Sequence, residues 1–247
     1  MSSEKTRAII GDIHGCITEL KELHEVLKAQ GIEEFYHLGD LVDRGPDSPG
    51  VVRYCRLNGF RGVMGNHESS LLALIDRSKS PQFHPSMLPV EKLDRWDIAR
   101  ALSTEDIQYI RALPKLHVLD DCKVVLVHGG LWPKRNLWEQ DRSILYLQVI
   151  HPDKPGDVRW TQRPGLYTLE ESRAEGYSPW QELYDGDEEV IYGHSVFSEP
   201  NSQKLTLGID TGCVYGGSLT AYVLPDRRFV QVKAHRAYAT RMKDDSY

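Results

Sequence analysis

The sequence predicts an α/β fold built on parallel strands. Three observations carry the prediction. In the first third of the chain a short β-rich run, a polar loop and a helical pattern follow one another three times. Each run stops at a glycine: Gly11, Gly39 and Gly65. Short apolar runs return towards the end of the chain. Strands that alternate with helices build parallel sheets, and such sheets bind ligands at the carboxyl ends of their strands. The three loops should therefore converge in space.

The elements follow in order. Arg7–Ile10 is the first strand candidate, and Ile17, Leu20, Leu23 and Leu27 then recur at helical spacing until Gly31. Phe35–Leu38 is the second strand candidate, followed by the loop DRGPDSPG. Ser48 is placed as the cap of a helix with Pro49 at its first position, running to Leu57. Arg61–Met64 is the third strand candidate, and Leu71, Leu72 and Ile75 mark a helix after it. Residues 80–89, with Pro81, Pro85 and Pro89, read as a loop, and Thr104–Ala112 as a capped helix. Val124–Val127 is a buried strand candidate ending at His128. From Trp132 to Glu189 the periodicity is poor, with one helix expected over Glu139–Ile150. This stretch is read as a substrate-side insertion, 132–189, within a single domain spanning 1–247. Further strands are expected at Val190–Tyr192, Leu205–Ile209, Leu219–Leu224 and Phe229–Val232, the last pair a hairpin across Pro225 and Asp226.

Composition narrows the function classes. The 247 residues are 40% hydrophobic, enough for one sizeable core. A net charge of −6 argues against a duplex nucleic-acid binder, which would carry a basic face. Cys16, Cys55, Cys122 and Cys213 lack CxxC spacing and read as reduced thiols in a reducing compartment, not as a disulfide framework or a zinc site. The start, MSSEKTRAII, has no secretory apolar region, and no apolar run approaches the ~20 residues that span a bilayer. A soluble, cytoplasmic protein without membrane partners is expected.

The chemistry sits at the strand ends. Asp12 and His14 form an Asp-x-His pair between Gly11 and Gly15, and alternation points both side chains the same way. Asp40 follows the second strand and Asn66 with His67 the third, each after a glycine. His128 closes the valine-rich strand, and His194 follows Val190–Tyr192. Singly, each has a commoner structural role: a turn or cap for Asp40, a turn for Asn66, a helix start for His67. His24, His37, His84, His117, His151 and His235 keep such structural readings. Repetition at five independent loops is what makes the pattern specific. Carboxylate, amide and imidazole suit Mn, Fe, Zn or Co, with Mn expected first. Two divalent ions sharing Asp40 would divide the set. One takes Asp12, His14 and Asp40; the other takes Asp40, Asn66, His128 and His194. Such ions lie ~3.5–4 Å apart and clamp an in-line displacement.

GDIHG (11–15), GDLVDRG (39–45), GNHE (65–68), HGG (128–130) and GH (193–194) occur in that order. Together they resemble the calcineurin-like metallophosphoesterases, in particular their phosphoprotein phosphatase branch, over residues 8–221. The resemblance implies a four-layer αββα sandwich with an irregular insertion over the site, and the same ligand division. It implies that Arg44 grips phosphate, that His67 protonates the leaving oxygen and that Asp43 orients His67. A metal-bridging hydroxide would be the nucleophile. Members usually add a second arginine from the middle segment, where RWTQR offers Arg159 and Arg163. Tyr215 is a candidate for the rim, and Cys16 and Cys213 for neighbours of the metals.

Two substrate classes compete. GNHE and HGGL are similar to the Ser/Thr protein phosphatases, whereas IDTGCVYGGSLTA (209–221) is similar to the bacterial diadenosine tetraphosphatases. The latter more often carry Asp where this chain has Glu68. The first expectation is a Ser/Thr phosphatase acting on phosphate monoesters of proteins or small molecules. The alternative is dinucleoside polyphosphate hydrolysis. A non-catalytic binding module on the same scaffold would have lost ligands or the acid histidine, and this chain retains them all.

Overall fold

The three strand–loop–helix units form as the sequence predicts. Residues 5–154, 156–159 and 168–240 are described, in a computed structural model. β1 (Arg7–Ile10) leads to α1 (Ile17–Ala29), β2 (Glu34–His37) to α2 (Ser48–Leu57), and β3 (Arg61–Gly62) to α3 (Asn66–Ser78). β3 is shorter than expected because the Met64 amide leaves β2 and donates to Pro114 O at 2.8 Å. The cap of α2 is Asp47, not Ser48. Asp47 accepts from Gly50 N at 2.8 Å, while Ser48 Oγ accepts from Asp43 N at 2.9 Å.

α4 (Leu93–Ala101) precedes the predicted α5 (Thr104–Ala112), whose cap is the reciprocal pair Ser103 and Asp106. The chain then enters β4 (Leu116–Leu119) and β5 (Val124–Val127). The helix expected over Glu139–Ile150 does not form. Two 3-10 turns, Leu137–Glu139 and Arg142–Leu145, lead into β6 (Val149–Ile150). There Trp180 N donates to Gln148 O, committing the backbone to a small antiparallel sheet in the order β7-β6-β8. Its other strands are β7 (Val158–Arg159) and β8 (Ser178–Pro179), with α6 (Leu169–Ala174) and α7 (Trp180–Leu183) beside them. β9 (Glu189–Tyr192), β10 (Asn201–Gln203), β11 (Thr206–Gly208), β12 (Ser218–Leu224) and β13 (Arg228–Lys233) complete the chain.

Two five-stranded sheets face each other. The first runs β13-β12-β1-β2-β3 and the second β10-β11-β9-β5-β4. β1, β2 and β3 are mutually parallel, as are β5, β9 and β11. Alternation along each strand separates the cores. Ile9, Tyr36, Leu126, Ile191 and Tyr222 fill the space between the sheets. Ala8, Ile10, Ala221 and Val223 turn outwards to meet Leu20, Leu23, Val52 and Ile110 of the helices. Val125, Val127, Val190 and Tyr192 turn outwards from the second sheet. They are covered by Leu131, Trp132, Ile144 and Trp180, so residues of the 132–189 stretch supply that outer layer. Among the described residues no helix is long and apolar enough to cross a membrane.

Candidate metal centre

The carboxyl ends of all six parallel strands meet at one end of the sandwich, and backbone bonds fix the meeting. Ile13 N and His14 N both donate to Asp40 O, at 3.1 and 2.7 Å. Gly193 N donates to His128 O at 2.9 Å, and His194 N to both carboxylate oxygens of Asp12 at 3.1 and 3.2 Å. The fully buried Glu68 carboxylate accepts from Asp40, Leu41, Val42 and Gly65 amides at 2.8–3.2 Å. Glycine is required where backbone passes a carboxylate. A Cβ on Gly65 would lie 2.1 Å from Asp40 Oδ1, and one on Gly193 2.1 Å from Asp12 Oδ1. His14, Asp40, Asp43, Arg44 and His194 all hold positive φ, between 45° and 69°. Strain of this kind gathers where side chains are aimed for function.

Two donor clusters share Asp40. His14, Asp40 and His67 form one, and Asp40, His128 and His194 the other, the donor atoms of each within 4.8 Å of one another. Asp40 faces both: Oδ2 lies 3.5 Å from His14 Nε2, and Oδ1 3.3 Å from His128 Nε2. Asn66 Oδ1 lies 2.9 Å from His128 Nε2. His14 Nδ1 donates to Val42 O at 2.8 Å and His128 Nδ1 to Leu38 O at 2.7 Å. Those bonds turn Nε2 of each ring inwards, the usual second support of a metal-binding histidine. The charge balance points the same way. Burial and the nearby Asp210 hold Asp12 well above the usual carboxylate range. At His128 burial is outweighed by Asp40 and Asp12, and its pKa is pushed up to about 10. The buried acidic groups there call for positive charge. The donor set fits divalent cations, whose charge would meet the same demand.

The remaining predicted residues fall around the clusters. Arg44 Nη1 reaches His14 Nε2 at 2.6 Å, and its guanidinium lies 5.7 Å from the Tyr215 ring. Tyr215 therefore stands beside Arg44. His67 Nδ1 meets Asp43 Oδ2 at 2.5 Å, leaving Nε2 facing Asp40 at 3.8 Å. Arg159 pairs with Glu175 at 2.5 Å and stacks 3.9 Å over Tyr177. Arg163 lies outside the described residues.

Three residues near the centre were not anticipated. Arg95, on α4, donates through Nε to Asp43 Oδ2 at 2.9 Å and also bonds it through Nη2. Burial, which would raise the Asp43 pKa, is outweighed by His67 and Arg95, and Asp43 stays below the usual carboxylate range. Asp210 follows β11 and faces Asp12, with burial pushing it up to about 6. Arg142 bonds Ser69 on the first turns of α3. Asp210 occupies the same strand-end position as the others, a signal the sequence contained.

The model of the calcineurin-like phosphoesterase family matches residues 6–198. The chain belongs to the calcineurin-like phosphoesterases. It is a hydrolase of phosphate esters or anhydrides, in a family that uses a dinuclear divalent metal site. Its relatives include the asymmetrical bis(5'-nucleosyl)-tetraphosphatase PrpE of Oceanobacillus iheyensis, 28% identical, with 93% of each chain covered. The symmetrical bis(5'-nucleosyl)-tetraphosphatase of Serratia proteamaculans is 30% identical over 92% of this phosphoesterase and 94% of the relative. A crystal structure described as a candidate diadenosine tetraphosphatase superposes with a TM-score of 0.72 at 30% identity, covering 94% and 95% of the two chains. A Ser/Thr protein phosphatase of Saccharomyces cerevisiae shares the fold alone, at 14% identity and a TM-score of 0.54.

Proposed function

We propose that this phosphoesterase hydrolyses dinucleoside polyphosphates at a centre holding two divalent cations. The observation that carries the substrate class is the near-complete, two-way coverage of relatives named tetraphosphatases. This reverses the order of the two classes expected from the sequence motifs, where protein monoesters came first. The protein phosphatase motifs GNHE and HGGL describe the centre's scaffold and so do not separate the classes.

Asp12, His14 and Asp40 would hold one cation, and Asp40, Asn66, His128 and His194 the other. When bound, such a pair polarises phosphate oxygens and lowers the pKa of water. The chain's own residues supply the rest. Arg44, exposed beside His14, offers a planar fork to two phosphate oxygens. His67 holds its Nδ1 against Asp43, which leaves Nε2 free to present the proton that the imidazolium form would give to the departing oxygen. Arg95 fixes Asp43 from the other side. Tyr215 steadies the Arg44 guanidinium through its ring face. The RWTQR segment, with Arg159 and Arg163, is the candidate for a second grip on the polyphosphate.

One panel tests the substrate class. Diadenosine tetraphosphate, a phosphoserine peptide and a cyclic phosphodiester are compared by kcat/KM, with nucleotide products resolved. The dinucleotide should lead, and the products show whether cleavage is symmetrical. A higher kcat/KM for the phosphopeptide would sink the proposal. The leaving group adds a second check. A nucleotide phosphate departs without much help, whereas a serine alkoxide needs a proton. His67→Asn should therefore slow the peptide reaction more than the dinucleotide reaction; equal losses would remove His67 from the acid role.

A further inference from the structure

A second cluster of metal-competent side chains lies behind the phosphoesterase centre. Cys16, Glu19 and Cys213 each place a donor atom within 4.8 Å of the other two. All three are buried, at 0%, 0% and 1% exposure. Cys16 precedes α1 as its N-cap, Glu19 lies in the first turn of that helix, and Cys213 sits in the loop between β11 and β12. Glu19 Oε1 accepts from His235 N at 3.0 Å and from Tyr238 Oη at 2.8 Å. Its other oxygen, Oε2, is buried and has no hydrogen-bond partner among the described residues. An unpaired buried carboxylate oxygen is costly and uncommon, and it asks for a cation or a donor.

We propose that Cys16, Cys213 and Glu19 form a thiolate-containing site for zinc, separate from the phosphoesterase cage. Two sulfurs and one oxygen suit zinc better than manganese, which prefers oxygen and nitrogen. Tetrahedral coordination with Zn–S of ~2.3 Å places two sulfurs ~3.8 Å apart, inside the 4.8 Å limit of the cluster. Both thiols lose their protons on binding, and the ion's two positive charges offset most of the three negative ones. The ion would tie the start of α1 to the β11–β12 loop, and through Glu19 to the segment around His235 and Tyr238. Cys16 follows His14 by two residues, so the tie would also anchor the loop that carries His14.

Cobalt substitution separates the two sites, because only sulfur ligands give thiolate-to-cobalt charge-transfer absorption in the near ultraviolet. The cobalt-loaded protein should show that band. His128→Ala, which alters the cage, should keep it, while Cys16→Ser and Cys213→Ser should each abolish it. Glu19→Gln keeps both sulfurs and the side-chain shape, so it should keep the band but release cobalt faster to a chelator. A loaded protein with no such band overturns the proposal. So does a band that survives in both folded serine variants, or an intact mass two hydrogens low, which would mean that Cys16 and Cys213 pair with each other.

Discussion

Replacing Arg95 with alanine tests the least expected part of the catalytic arrangement. Asp43 Oδ2 receives His67 Nδ1 at 2.5 Å and Arg95 Nε at 2.9 Å, with Arg95 Nη2 bonded to the same oxygen. Asp43 is 8% exposed, so water replaces a lost guanidinium poorly. A hydrogen bond to a charged group is worth about 1.5–3 kcal/mol. If one bond's worth of orientation is lost in the transition state, kcat falls about 10- to 100-fold. KM should hardly move, because Arg95 acts through Asp43 and His67 and not on substrate. Arg95→Lys keeps the charge but not the fork, and should recover part of the loss. The assay is steady-state kinetics on a phosphoserine peptide, where protonation of the leaving group matters most, with thermal unfolding as a control. An unchanged kcat would show that Asp43 holds its place without Arg95. A raised KM with intact kcat would make Arg95 a substrate contact and refute the reasoning.

Three further outcomes are expected. His128→Ala should lose bound divalent metal and turnover together, read by elemental analysis beside kinetics; full metal content would take His128 off the ligand set. Gly65→Ala puts a Cβ 2.1 Å from Asp40 Oδ1, so metal binding should weaken while circular dichroism stays near wild type; normal metal affinity would show that the loop absorbs the clash. Glu34 accepts from Lys5, Arg7 and Arg61 at 2.9–3.0 Å, and these outweigh its burial to bring its pKa down to about 2 from 4.5. A carboxylate depressed on folding stabilises above its unfolded pKa and loses that contribution as pH falls towards 2. Glu34→Gln should therefore be less stable than wild type at pH 7, with the gap in denaturant midpoint closing through that window. A gap that does not change with pH would contradict it.

The parts of the molecule readable in sequence share one property: local chemistry and tertiary demand agree. β1, β5, β9 and β12 are apolar on both faces because both faces are covered, and glycine marks where each approaches the site. The strand-end residues Asp12, Asp40, Asn66, His128 and His194 were legible for that reason. α4 was not, since Ala99 is its one buried residue and no apolar stripe announces it, nor Arg95 upon it. β4 and β10 are edge strands with half-exposed side chains, so their alternation is faint. The described residues between Trp132 and Glu189 include two-residue strands and short helical turns, which depend on distant partners such as the Trp180–Gln148 bond. Asp210 shows a different failure. Its position after β11 matches the pattern of the other site residues, but it lies inside Ile209–Ala221, whose likeness to the tetraphosphatases points to substrate class and not to a strand end.

Glu68 carries a lesson of the same kind. In the sequence Glu68 stands beside His67 as part of GNHE. In the folded chain its carboxylate is taken up by four backbone amides from the loops after β2 and β3. It acts as a spacer rod between two loops. Aspartate, one methylene shorter, would have to draw the start of α3 towards Asp40, carrying Asn66 and His67 with it. The length of the side chain at this position would therefore bear on the spacing between the two loops that carry Asp40 and Asn66.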